Sequence, residues 1–261
     1  MKIKDVINAL ENFAPLPLQE SWDNAGLQTG LTEAEVSGAL LCLDVTEAIV
    51  DEAISHGFNL VVSHHPLLFR GLKRLTGDTM VERALIKAVR NDVCIVSLHT
   101  NMDNAPGGVN FRIASHLGLL QPRFFATRQV GNIACGSGVI GILPSPMQAA
   151  DFIALVKARF HAGRICCNEL LRHPVCKVAV CGGAGDFLLD AAISEGADAF
   201  LTGEAHYHQY FGHEQDIQMC VIGHYESEQF TAEIFRDIIH EKCPGVDCRI
   251  AETNTNPIHY F

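Results

Sequence analysis

Two histidines, His64 and His65, stand side by side in "VVSHHPLLF", where an apolar run ends. Neighbouring side chains on a strand point to opposite faces, so the pair cannot easily grip one metal ion from an extended backbone. They can serve two ions lying side by side if the chain turns there, and Pro66 favours such a turn. Other residues with metal-binding chemistry follow the same pattern. His99 and Asp103 lie in "LHTNMD", and His224 and Glu228 lie four residues apart in "GHYESE". Imidazole with carboxylate suits Zn, Mn or Fe, and a bridging carboxylate holds two cations about 3.5–4 Å apart. A lone histidine at a strand end is ordinarily structural. Six such residues in one chain favour a site.

The elements that must position them alternate along the chain. An amphipathic helix is expected from Ile3 to Phe13, followed by a loop with "ESWDNAGLQTG". "GALLCLDV" reads as a strand, and "TEAIVDEAISHG" as a helix capped by Thr46 and stopped by Gly57. "NLVVSH" and "VCIVSLH" read as strands, and "DTMVERALIKAVRN" and "GVNFRIASHLG" as helices. The second half continues with a strand at "CGSGVIGIL", a helix opened by Ser145 and Pro146, and strands at "VCKVAVCGG", "ADAFLTG" and "QMCVIGH". The helix "SEQFTAEIFRDIIHE" and a strand at "VDCRIAE" close the chain. Short apolar strands between helices predict an α/β fold with largely parallel sheets.

Within that order the chain repeats itself. "EAISHGFNLVVSHHP" and "AAISEGADAFLTGEA" share a helix, a glycine stop, a strand and a polar ending. "CIVSLHTNMD" matches "CVIGHYESE" with one gap, setting His99 against His224 and Asp103 against Glu228. The expectation is two similar three-layer α/β/α domains related by duplication, 1–125 and 126–261, allowed to intertwine. Ligands of open α/β sheets gather outside the carboxyl ends of strands. The metal site is therefore expected between the domains.

"SWDNAGLQ", "SHHPLLF", "LHTNMDNAPGGVN", "GEAHYHQ" and "GHYESEQF" resemble, in this order, the motifs of the Nif-three-like family. Its members are also called dinuclear-metal-centre hexameric proteins and are often labelled GTP cyclohydrolase 1 type 2 homologues. The likeness runs over nearly the whole chain, in the compact form without an inserted middle domain. It implies two divalent metal ions per subunit, with His64 and Asp103 on one, His65 and His224 on the other, and Glu228 bridging both. His99 would carry protons or support the ligands, and the assembly would be a homohexamer.

Composition narrows the function. With 30 acidic against 19 basic side chains and a formal net charge of −11, the chain argues against general nucleic-acid binding. Lys157, Arg159, Arg164 and Arg172 read as a solvated helix face and loop. The N-terminus carries no signal-peptide pattern and no apolar run spans a bilayer, so no membrane partner is expected. The 10 cysteines sit mostly in core-strand contexts and form no CxxC pair, which suits a reduced, cytoplasmic protein. The leading function is a dinuclear metal-dependent hydrolase of a small molecule, a nucleotide or related heterocycle, with His99 as the catalytic residue. The alternative is a non-catalytic metal-binding interaction protein or metallochaperone.

Three features keep two readings each. Trp22, Asp23 and Asn24 either border the site or form a packed tryptophan beside an Asx turn. The Gly182–Gly185 stretch of "CGGAGD" is a phosphate cradle or, twice as readily, a tight turn between strand and helix. Glu204, His206 and His208 are pocket wall or metal support before they are ligands.

Overall fold

The computed structural model describes residues 1–260. The chain opens with α1 (Ile3–Phe13) and an edge strand β1 (Gly26–Thr29). Then come β2 (Ala39–Cys42), α2 (Glu47–Ser55), β3 (Leu60–Ser63), α3 (Met80–Arg90), β4 (Cys94–Ser97) and the single turn α4 (Thr100–Asp103). Thr46 and Thr79 cap α2 and α3 through their hydroxyls, each accepting a backbone N–H one turn on.

Every residue of β2, β3 and β4 is buried, which requires cover on both sheet faces. Leu40, Val61 and Ile95 pack with Ile49, Val50 and Ala53 of α2 and with Ala84, Leu85 and Ala88 of α3. β2, β3 and β4 run parallel, and β1 joins β4 antiparallel.

A second series follows with α5 (Val109–Leu117), β5 (Leu120–Val130), β6 (Ile133–Met147) and α6 (Ala149–Arg159). It continues with β7 (Val175–Cys181), α7 (Leu189–Ser194), β8 (Ala199–Thr202), β9 (Gln218–Val221) and α8 (His224–Glu228). Its sheet runs β5-β6-β7-β8-β9, with β7, β8 and β9 parallel.

The chain then enters α9 (Thr231–Lys242) and β10 (Cys248–Ile250). β10 pairs in parallel with β2 and completes a first sheet of order β1-β4-β3-β2-β10. The first compact unit is therefore Met1–Ala105 with Thr231–Pro257, and the second is Pro106–Phe230 with the tail from Ile258. This division differs from the 1–125 and 126–261 read in the sequence. The physical reason is the apolar face of α9, where Ile234, Phe235, Ile238 and Ile239 are buried.

The α/β expectation holds, with two five-stranded sheets among the described residues. The repeat is visible in the topology, because three successive parallel strands form the core of each sheet (β2-β3-β4 and β7-β8-β9). Two local expectations fail. The boundary read at 125/126 falls inside β5, which forms a long hairpin with β6. Ser145 and Pro146 end β6, where the ladder is irregular and tolerates proline, and α6 opens after Gln148 instead.

Candidate metal-binding residues

In the first unit the register fixes the geometry. Ser63 of β3 pairs with Ser97 of β4, so both strands stop level. Their hydroxyls meet at 2.8 Å, and Ser63 also donates to the His65 carbonyl at 2.9 Å. The chain has left the strand by His64, so the two histidines do not alternate across a sheet. Their ring centroids lie 4.9 Å apart, and His99 follows β4 at 5.2 Å from His64 and 5.3 Å from His65. The three rings offer ligand atoms within 4.8 Å of one another. α4 starts directly after His99 and carries Asp103 one turn on, which sets Asp103 Oδ1 3.6 Å from His64 Nε2.

Each ring is oriented through Nδ1. That of His64 meets the Leu98 carbonyl at 2.8 Å, that of His65 meets Asp44 at 2.7 Å, and that of His99 meets Asp23 at 2.8 Å. Burial pushes the Asp23 carboxyl up. The hydrogen bonds from the His99 ring, the Thr100 hydroxyl and the Asn24 backbone N–H outweigh it and hold Asp23 at about 2. Asp44 is likewise raised by burial but held below the usual carboxylate range by His65 and by the Thr255 hydroxyl at 2.8 Å. Asp44 and Thr255 were not singled out in the sequence. Asp44 lies just past β2, so the strand-end rule that found the histidines could have found it too.

In the second unit, His224 and Glu228 are the first and last residues of α8. Their Nε2 and Oε2 atoms lie 3.1 Å apart. Glu204, just past β8, accepts His224 Nδ1 at 2.8 Å, so it orients a candidate ligand in this structure. Gly223 opens α8 at φ 107°, and a Cβ there would lie 2.1 Å from a carboxylate oxygen of Glu226. Gly183 has φ 59°, and a Cβ would meet Glu228 Oε1 at 2.5 Å.

The glycine stretch is thus a turn that makes room for Glu228. Its N–H groups are also taken. Gly182 donates to Asn110 at 3.0 Å, Gly183 to the Ser227 hydroxyl at 3.0 Å, and Gly185 to Thr202 at 3.1 Å. That favours the tight-turn reading over a phosphate cradle. His206 is mostly exposed and bonds Asp186 at 2.5 Å, while the His208 ring packs edge-on to Tyr207 at 5.4 Å. A cavity of about 460 Å³ opens beside His224 and Glu204, lined also by Arg164, Tyr210 and Tyr260. Burial pushes the Tyr210 hydroxyl up to about 12.

These donors fit a divalent transition metal. Fixing Nδ1 against an oxygen leaves Nε2 as the ligand atom, the arrangement that carboxylate–histidine–metal sites use. Two ligand atoms about 2.1 Å from one ion stand about 3.0–3.4 Å apart. The separation of His224 from Glu228 falls in that range.

Residues 1–257 match the family described as Duf34/NIF3 (NGG1p interacting factor 3). The chain belongs to this family. A Clostridium acetobutylicum protein named GTP cyclohydrolase 1 type 2 homolog is 32% identical over 268 residues, covering 100% of this chain and 99% of the relative. A Clostridium perfringens protein of the same name is 34% identical over 229 residues, 87% of each chain. Among solved structures, a Staphylococcus aureus hypothetical protein superposes with a TM-score of 0.92 at 26% identity, covering 100% of this chain and 99% of its own. Among the described residues no helix is long and apolar enough to cross a membrane.

Proposed function

We propose that this Duf34/NIF3 chain is a metal-dependent hydrolase of a nucleotide or related heterocycle, holding two divalent cations (Zn, Mn or Fe). His64 and Asp103 would hold one, His65 and His224 the other, and Glu228 both. The observation that carries the reading is the commitment of Nδ1 in His64, His65 and His224, which leaves each Nε2 as a donor. Bound there, two cations would bring the pKa of a water toward neutrality and polarise the bond it attacks.

The chain's own residues then manage the proton. His99 Nδ1 faces Asp23, so Nε2 is the atom that takes up and releases it. Asp23, held at about 2, stays ionised and stabilises the imidazolium that forms. The cavity beside His224 lies within the range of about 300–1,000 Å³ that small ligands occupy. The name carried by the clostridial relatives supports a nucleotide-type substrate. The family resemblance supports a homohexamer.

The test is elemental analysis after metal reloading, with a nucleotide hydrolysis screen and sedimentation on the same sample. About two ions per chain, turnover and a hexamer are expected. Glu228→Gln should lose at least one ion, because it removes the charge that offsets cation–cation repulsion. His99→Ala should keep both ions and lose about 10²–10⁴-fold in turnover. Saturation at one ion sinks the paired-metal reading. Two ions with no turnover across the screen would favour the interaction-protein or metallochaperone alternative.

A further inference from the structure

The first unit carries an aromatic and cationic surface that the metal reading leaves unused. Trp22, the single tryptophan of the chain, is 59% exposed, and Phe69 is 48% exposed. Their centroids lie 5.9 Å apart, and each also packs against His99, at 6.0 Å and 6.2 Å. The tilted Trp22–Phe69 contact leaves no room for a third ring between them, so a planar ligand would stack on an outer face. Hydrogen bonds hold the pair in place. Asn24 donates to the Leu68 carbonyl at 2.7 Å, and Leu68 N–H donates to Gln28 at 3.1 Å.

Phe69 leads straight into a cationic loop. Arg70, Lys73 and Arg74 are all exposed, and no acidic residue occurs from Pro66 to Gly77. Among the described residues these three cations form no ion pair, although the chain carries a net charge of −11. Elsewhere Arg83 pairs with Glu47 and Lys87 with Asp51. Three cations kept clear of carboxylates present a local positive field. Exposed aromatic faces next to cations suit a flat π-system carrying phosphate.

We propose that Trp22 and Phe69 stack the ring of a phosphorylated planar heterocycle while Arg70, Lys73 and Arg74 hold its phosphate, presenting the ligand to His99. This rests on the hydrolase reading for its purpose but on separate residues for its chemistry. A protein partner or a second copy on the same patch is the competing occupant. The run of cations that follows Phe69 in the chain, whose ring packs against His99, favours the small anionic ligand.

Trp22 reports on the site directly. Its fluorescence is titrated with GMP, AMP, guanosine and inorganic phosphate, with inner-filter correction and calorimetry alongside, on protein whose metal content is measured in the same preparation. At least one nucleotide should quench Trp22 saturably and bind about ten-fold or more tighter than guanosine. The R70Q/K73Q/R74Q variant should lose that preference for phosphate, and Phe69→Ala should weaken every ring-bearing ligand. Both change exposed side chains, so melting temperature and metal content should stay as in the parent. Metal-loaded protein that shows no saturable quenching overturns this site and leaves the metal reading standing. Quenching by nucleotide in a chain that takes up no metal does the reverse. Nucleotide binding unaltered in both variants, or variants that change only sedimentation, would assign the patch to another occupant.

Discussion

Each candidate imidazole in the two units meets an oxygen through Nδ1, and three of those oxygens belong to carboxylates: Asp44, Asp23 and Glu204. A carboxylate there fixes the tautomer and raises the basicity of the ring, so its loss is felt at an atom it never touches. Asp44→Asn and Glu204→Gln keep volume but swap an acceptor oxygen for an amide that can present its NH2 to the ring. Each should lower metal affinity about 10–100-fold with little change in melting temperature. Competition titration against a chelator measures this. Affinity unchanged in both variants would mean that the Nδ1 contacts are incidental surface pairs. At this scale the sequence was most legible. All six candidate residues follow predicted strands, and their positions past β3, β4 and β9 are where the apolar runs end. Their carboxylate partners were legible in part: Asp23 and Glu204 stand in motifs read as bordering or supporting the site, whereas Asp44, past β2, was not singled out and reaches His65 through the pairing of β2 with β3.

Among the elements, helix ends were read well where a single residue dictates them. α1 spans Ile3–Phe13 as expected, Thr46 caps α2, and Gly118 ends α5 in the left-handed region. β5 escaped notice because "FFATRQV" mixes polar and apolar residues as a half-exposed strand does, without a clean period. One element carries an acid sensitivity of its own. Glu82, in the first turn of α3, accepts backbone N–H bonds from Thr76 and Gly77 at 2.8 Å and from Asp78 at 3.2 Å. These bonds, with the Thr76 hydroxyl, hold its carboxyl at about 2 against an ordinary 4.5. A depressed folded value stabilises the native state fully above the unfolded value, and the contribution fades as pH falls from about 4.5 toward about 2. Urea unfolding should therefore show Glu82→Gln less stable than the parent near neutrality, with the gap closing as the solution is acidified through that window. A gap that stays constant with pH would show that the charge of Glu82 is not what anchors the 76–78 turn. That turn follows the cationic 70–74 loop, so its release should also show as faster amide exchange there.

For the molecule as a whole, the main feature hidden from the sequence is that the chain returns. A linear reading assigns residues Thr231–Pro257 to the half they follow. The structure instead lays α9 and β10 into the first unit, because β2 would otherwise keep an open edge and an uncovered face. α9 buries Ile234, Phe235, Ile238 and Ile239, and it packs with α1, whose own buried face is Ile3, Val6, Ile7 and Leu10. Short-range pattern reveals that both helices are amphipathic but not that each is the other's partner. Phe235 has no exposed surface, so Phe235→Ala removes buried contacts and leaves a cavity costing about 3–5 kcal/mol. Phe187 offers a control in the second unit, since it is 66% exposed and its truncation should stay within about 0.5 kcal/mol. Denaturant unfolding of the two variants beside the parent decides the point. The loss in Phe235→Ala should reach His64 and His65 as weakened metal uptake near the midpoint, because β3, which carries them, is zipped to β2. If Phe235→Ala proved as harmless as Phe187→Ala, the C-terminal segment would be an appendage, and the first unit would have to close its sheet without it.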